Sequence, residues 1–272
     1  MNADDARHPF DRAIALEPQD HERWLGHTSP AYANMVGPYG GISAAQALQV
    51  VMQHPQRLGE PTALTVNFCA ALADGPFTAI ARPLRTNRST QHWLVELQQQ
   101  GETQLSATVF TALRRDTWGS DELRKPAVPA PAQCPQAPAR GVAWLERYEM
   151  RFVEGSLPTE WDGEDHGSSL TRLWLRDAPP RPLDHASLTA LSDAFFPRIW
   201  RRRAMRVPIG TVTMTVYFHA DAAQLHRVGS GYLLGQAQAQ GYRRGYFDQS
   251  AQLWSEAGDL LATSHQLVYY KE

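Results

Sequence analysis

Asp193 is the single charged side chain between Ala186 and Pro197, set among Leu188, Ala190, Leu191, Ala194, Phe195 and Phe196. A carboxylate buried in such surroundings without a cationic partner resists ionisation and its pKa rises, which is how a general base comes to work near neutrality. A plainer reading stays open. At about 100° per helical residue Asp193 lies roughly opposite Leu188, Leu191 and Phe195, on a strip that could face solvent. Tyr39-Gly40-Gly41 is a second candidate, because glycines opening a helix bring unpaired N–H groups and the positive end of the helix dipole together. One such donor aimed at a developing oxyanion is worth about 2.7 to 4 kcal/mol in the transition state, although a tight turn uses glycines equally well. Arg198, Arg201, Arg202, Arg203 and Arg206 form the densest basic run, suited either to phosphoryl oxygens or to a solvated loop.

Two polar strand residues complete this set. Thr211, Thr213, Thr215 and Tyr217 alternate with Val212, Met214, Val216 and Phe218, which predicts hydroxyls on one strand face. β-Propensity alone also produces that pattern. Gln266 lies in the last strand-like run, with its neighbours His265 and Leu267 leaving either face open. Other motifs carry less. Gly229-Ser230-Gly231 with Gly235 has the wrong spacing for a dinucleotide loop, Glu164-Asp165-His166 lacks the spaced ligands of a zinc site, and no G-x-S-x-G elbow is present. No metal and no cofactor are expected.

The elements that must position these residues follow from periodicity. Ile42, Ala45, Leu48, Val51 and Met52 recur at helical spacing over 42–53, closed by His54-Pro55. Four strand-like runs follow, at 63–71, 77–85, 92–98 and 104–113, separated by turn residues. The same order returns later. Asp184 can cap a helix through about Phe196, and strand-like runs occupy 211–219, 232–238, 245–254 and 260–270. The last hairpins align at an offset of 156, matching Val95-Glu96-Leu97 with Ala251-Gln252-Leu253 and Leu105-Ser106-Ala107-Thr108 with Leu261-Ala262-Thr263-Ser264, so the chain reads as an internal duplication. At that offset Phe110 stands opposite Gln266. Between the halves Pro126, Pro129, Pro131, Pro135 and Pro138 predict an extended, semi-rigid spacer. The expected domains are residues 1–117, a linker at 118–145, and residues 146–272.

Composition narrows the classes. The 272 residues are 43% hydrophobic and 20% charged, a globular mix that excludes disordered and fibrous chains. A net charge of −2 asks for neither nucleic acid nor an anionic membrane as partner. Residues 1–16 mix charges with few apolar side chains, unlike a secretory leader, and the two cysteines cannot build a disulfide framework. The expectation is a soluble cytoplasmic protein.

A helix followed by an antiparallel meander, twice, suggests two curved antiparallel sheets each wrapped around a central helix, an α+β tandem (double) hotdog. The chain resembles the type II acyl-CoA thioesterases and their thioesterase-like relatives, tandem hotdogs themselves. The resemblance is carried by Tyr39-Gly40-Gly41, by 191–197 around Asp193, by Ile209-Gly210-Thr211 through Tyr217-Phe218-His219, and by 261–266 ending in Gln266. It implies hydrolysis of a fatty acyl-CoA thioester: Asp193 as base, Thr211 and Gln266 orienting the water, N–H groups near Gly41 holding the oxyanion, and Tyr39, Gly40, Arg198, Arg201 and Arg202 at the substrate. Acid–base assistance of this kind is worth roughly 10² to 10⁴ in rate. A catalytically silent double hotdog that binds acyl-CoA or fatty acid is the alternative. A hydratase ranks below both, because its Asp/His pair would have to be Asp184-His185 at the capping end of the helix. By analogy a homodimer or larger homo-oligomer is expected.

Overall fold

The fold, taken from a computed structural model, is described for residues 6–139 and 141–272. The start of the N-terminal stretch read above and Arg140, at the end of the proline-rich run, lie outside the described residues. The first half contains α1 (Pro9–Ala13), β1 (Leu16–Pro18), β2 (Arg23–His27), α2 (Gly40–Gln53), β3 (Glu60–Phe68), β4 (Pro76–Thr86), β5 (Thr90–Gln99) and β6 (Glu102–Ala112). The second contains β7 (Tyr148–Glu154), β8 (Thr171–Asp177), α3 (His185–Leu191), α4 (Arg198–Arg203), β9 (Ile209–Phe218), α5 (Ala222–Val228), β10 (Leu233–Gln238), β11 (Tyr242–Arg243), β12 (Tyr246–Ser255) and β13 (Leu260–Tyr270). All eight predicted strands are present. Each half also opens with two strands that the sequence reading did not anticipate.

Two separate sheets were expected; the strands instead form one antiparallel sheet, ordered β1-β2-β4-β5-β6-β3-β9-β13-β12-β10-β8-β7, with β11 paired to β12. Read from either end inward the order is the same, so the duplication is visible in the topology. The seam is β3 against β9, centred on Thr65 opposite Thr215, whose hydroxyls lie 3.0 Å apart. The hydrogen-bond ladder runs through the seam because two strands at the inner edges complete each other's unpaired backbone groups.

α2 packs against β4, β5, β6 and α3, with Ile42, Ala44, Ala45, Ala47, Leu48, Val50 and Val51 buried. Its small residues admit α3, all seven residues of which are buried. Pro55 ends α2, since a proline forces the preceding His54 into extended backbone. The predicted second helix is shorter than expected. Asp184 caps it as anticipated, accepting from Ser187 N at 2.8 Å, but α3 stops at Leu191. Beyond it the turns tighten, with Asp193 N donating to Ala190 O at 3.1 Å and Ala194 N to Leu191 O at 3.2 Å. Thr189 and Ser192 bond back to the carbonyls of His185 and Leu188 at 2.7 and 2.8 Å, a competition that weakens the helical ladder. Asp193 therefore sits on a turn just past the helix, not within it.

The proline-rich run, expected to be extended throughout, winds into one 3-10 turn at Pro131–Gln133, and it is docked. Trp174 Nε1 donates to Pro129 O at 2.9 Å, and Ala137 N donates to Met150 O at 2.8 Å. Cys134 packs with Trp174, Leu234 and Trp254 on the sheet face opposite the helices. Farther along, Trp144 stacks on Tyr39 of the first half, ring centroids 4.3 Å apart.

Candidate active site

The residues singled out in the sequence meet where the start of α2, the end of α3 and the strands β9 and β13 come together. Gln266 Nε2 donates to Asp193 Oδ1 at 2.8 Å, and the Gly41 backbone N–H donates to the same carboxylate. Thr211 Oγ1 donates to Gln266 Oε1 at 3.5 Å, and Met214 Sδ lies 3.6 Å from the Gln266 amide nitrogen. Thr211, Gln266, Asp193 and Gly41 thus form one chain of contacts. A β-carbon on Gly40 would stand 2.9 Å from Asp193 Oδ2, so a glycine there lets the carboxylate reach the helix terminus. Burial pushes the Asp193 pKa up to about 7, opposed by the hydrogen bonds from Gln266 and Gly41.

Two details differ from expectation. The Gly41 N–H, expected to face the oxyanion, is directed at Asp193. That is what a helix N-terminus offers an anion when one is within reach. The Gln266 amide touches the carboxylate directly instead of standing beside it.

Thr211 reaches this site through an irregularity that alternation alone does not show. Leu267 pairs with Thr213 but Val268 pairs with Thr211, so Val212 is passed over in a bulge. Val268 is buried on the inner face, and its partner Thr211 shares that face; Thr213, Thr215 and Tyr217 remain outside. An extra residue inverts which side the strand presents, as bulges beside functional sites do. The expectation that all four share one face fails at Thr211.

A second one-residue shift corrects the repeat alignment. In the mirrored ladders Val95 corresponds to Ala251, but Ala107 corresponds to Ser264, one residue farther along, because the hairpin between β12 and β13 is longer by one than that between β5 and β6. The first-half counterpart of Gln266 is therefore Val109, buried like Gln266, and not Phe110, whose ring packs at a tilt against His92. The counterpart of Thr211 is Pro61, where Thr62 is passed over in an equivalent bulge.

The remaining candidates divide. Tyr39 is buried, its hydroxyl donating to Ala190 O at 2.5 Å and its ring lying beneath Gly41. Burial, then the nearby Asp193, hold its pKa well above the usual phenol value. It braces the site from within. Arg198 departs most from expectation: it is fully buried and donates to Ser169 O and Thr171 Oγ1, both at 2.9 Å, and to Phe196 O. Its backbone acceptors consume the guanidinium, and burial lowers its pKa to about 9, so it is a strut and does not contact substrate. Arg202 pairs with Asp165 at 2.5 Å and lines a cavity of about 470 Å³ with Arg203, Arg243, Tyr242 and Ser168. Arg201 is half-buried nearby. Asp184 is committed to its cap and to Arg181 at 2.6 Å, and His185 is buried, so that pair does not project into a site. Met214 and Ser264 are site neighbours that the sequence reading missed. Ser264 Oγ donates to Ser192 O at 3.2 Å, and its place two residues before Gln266 on one strand face is the signal that could have found it. Among the described residues no group of three or more His, Cys, Asp or Glu is placed to hold a metal ion, and no helix is long and apolar enough to cross a membrane.

No curated protein matches the chain. Among solved structures, a conserved protein of unknown function with hot dog fold from Alicyclobacillus acidocaldarius is 46% identical, with TM-score 0.92, 98% of this chain and 99% of that one being covered. An acyl-CoA thioesterase II from Mycobacterium marinum shares the fold at 17% identity, TM-score 0.77, covering 96% of this chain and 98% of its own. Residues 29–114 match the acyl-CoA thioesterase N-terminal domain and residues 126–270 the acyl-CoA thioesterase C-terminal domain. This chain, with its carboxylate held between a helix terminus and a strand amide, belongs to the acyl-CoA thioesterase family.

Proposed function

We propose that the protein hydrolyses fatty acyl-CoA thioesters with Asp193 as general base. The supporting observation is the half-buried Asp193 carboxylate, its pKa raised to about 7 by burial, in contact with an amide, a helix-terminal N–H and, through the amide, a hydroxyl; the other carboxylate with a pKa raised by burial, Asp177, accepts from Ser187 Oγ. Asp193 takes a proton from water as the water oxygen bonds to the thioester carbonyl carbon. The negative charge passes to the carbonyl oxygen. When the carbonyl re-forms, the carbon–sulfur bond breaks and the thiolate recovers the proton from Asp193, giving a carboxylic acid and a free thiol. The N–H groups at the start of α2, around Gly41, are the donors proposed for the oxyanion, since a donor already in position acts most effectively there. Thr211 and Gln266 orient the water.

Arg202, with Arg203 and Arg243 around the cavity, supplies cations suited to the phosphates of coenzyme A; Arg201 adds to this positive field. The acyl chain would lie against the apolar surfaces between the two halves, and the domain division proposed is that of the two repeats joined by the docked proline-rich segment. Release of free thiol from a panel of acyl-CoAs tests the activity, and an Asp193→Asn variant as active as the parent removes the base. Thermal stabilisation by acyl-CoA with no thiol released would identify a binding protein instead. A homo-oligomer is proposed alongside, and a strictly monomeric mass by light scattering refutes it.

A further inference from the structure

We infer that Ser264 is a positioning residue for this reaction, acting through the peptide unit that carries Asp193; the inference rests on the proposed role of Asp193. Ser264 is buried and its hydroxyl donates to the carbonyl of Ser192 at 3.2 Å. That carbonyl and the Asp193 N–H belong to one planar unit. The N–H end of the unit donates to Ala190 O at 3.1 Å, so the plane is held at both ends. Ala190 O also accepts from Tyr39 at 2.5 Å, which anchors the same turn to the start of α2.

The turn needs such holding. Past the end of a helix the last carbonyls have no intrahelical partner, and α3 is only seven residues long. A small rotation of the Ser192–Asp193 peptide would swing the carboxylate away from Gln266 and from Gly41. Ser264 and Gln266 project from the same face of β13, two residues apart, so one strand touches the carboxylate and also holds the backbone that bears it.

The first half supplies a control. The counterpart of Ser264 there is Ala107, buried on the equivalent face. Alanine fills the space in the half whose helix bears no carboxylate to aim. Hydroxyl at 264, amide at 266 and hydroxyl at 211 occur together in the second half; alanine, valine and proline replace them together in the first.

The test compares Ser264→Ala and Ser264→Thr with the unsubstituted full-length protein. Ser264→Ala is expected to lower kcat about tenfold, the effect of one net hydrogen bond, while KM changes by less than about twofold. Ser264→Thr, which keeps the hydroxyl, restores most of the loss. In parallel, carbon-13 NMR of the carboxyl groups follows ionisation of Asp193 without turnover, its signal identified by its loss in Asp193→Asn. The titratable groups that feel the Asp193 charge, Tyr39 and Tyr148, are phenols raised by burial and stay protonated over the range. The Asp193 midpoint should move in Ser264→Ala and return in Ser264→Thr. An unmoved midpoint overturns the inference, as does a loss of kcat that threonine fails to restore. If the unsubstituted protein releases no thiol from any acyl-CoA, the hydrolase reading fails alone, and the NMR midpoint still decides whether Ser264 positions Asp193.

Discussion

The two halves of the sheet are the same construction with different interiors. Strand order mirrors about the β3–β9 seam, and a bulge recurs at Thr62 and at Val212. Yet on the inner face Pro61, Ala107 and Val109 stand where the second half has Thr211, Ser264 and Gln266. The helix of the first half has no carboxylate, and that of the second opens on Asp184-His185 instead of a glycine pair. Backbone geometry was retained twice and this set of polar side chains once. Each buried polar group imposes a desolvation cost unless it is partnered, so a repeat without the chemistry is more stable when its interior is apolar. The first half is not wholly apolar inside: Thr62 and Thr111 carry buried hydroxyls without a hydrogen-bond partner.

Substitutions that erase this asymmetry should have graded effects. The largest is Asp193→Asn, expected to lower kcat/KM by roughly 10² to 10⁴ in a thiol-release assay. The same variant should be the more stable protein at pH 8. The folded pKa of Asp193, about 7, lies above its unfolded value, so the wild-type penalty is absent below the ordinary carboxylate range. It grows as pH rises towards 7 and is complete above it. Thermal denaturation should therefore show a Tm gain on the order of a few °C at pH 8 and little change at pH 4; a gain equal at both pH values would contradict the burial of a titrating carboxylate.

Next in size is Gln266→Val, which copies Val109 into the second half. Losing a hydrogen bond to a charged group costs about 1.5 to 3 kcal/mol, and the resulting fall in kcat should be about ten- to a hundredfold. Because the Gln266 amide lowers the Asp193 pKa, the acid limb of the kcat profile, expected near pH 7 and rising with pH as the base ionises, should move to higher pH in this variant. A limb that stays in place would show that Gln266 does not stabilise the ionised form.

The smallest kinetic effect is expected from the reverse graft, Val109→Gln. Stability should fall by about 1 to 3 kcal/mol because the new amide is buried without a partner, measured by denaturant unfolding. The kcat should stay within about twofold. A gain of activity there would mean that the first half holds a latent site.

Much of this was legible beforehand. The helical period of Ile42, Ala45 and Leu48, the Pro55 stop and the Asp184 cap all gave elements that the structure contains. The isolation of Asp193 pointed to a carboxylate with a raised pKa, and the structure places it where burial raises that pKa to about 7. The alternation of Tyr148, Met150 and Phe152 against Glu149 and Arg151 is a legible strand signal too, though no strand was read there, just past the expected linker. Arg198 was not legible. Nothing in its neighbours' identities announces that the carbonyls of Phe196 and Ser169, the latter 29 residues away, would enclose it.

The amino-acid sequence by itself determined the duplication and the principal strands and helices, because periodicity and composition are local properties. Which face Thr211 shows, that Val109 and not Phe110 answers Gln266, and that Gly41 meets Asp193 were decided only by the tertiary structure. In a pleated strand a single passed-over residue exchanges inside for outside, and whether it is passed over depends on the partner strand's register, which no stretch of one strand contains.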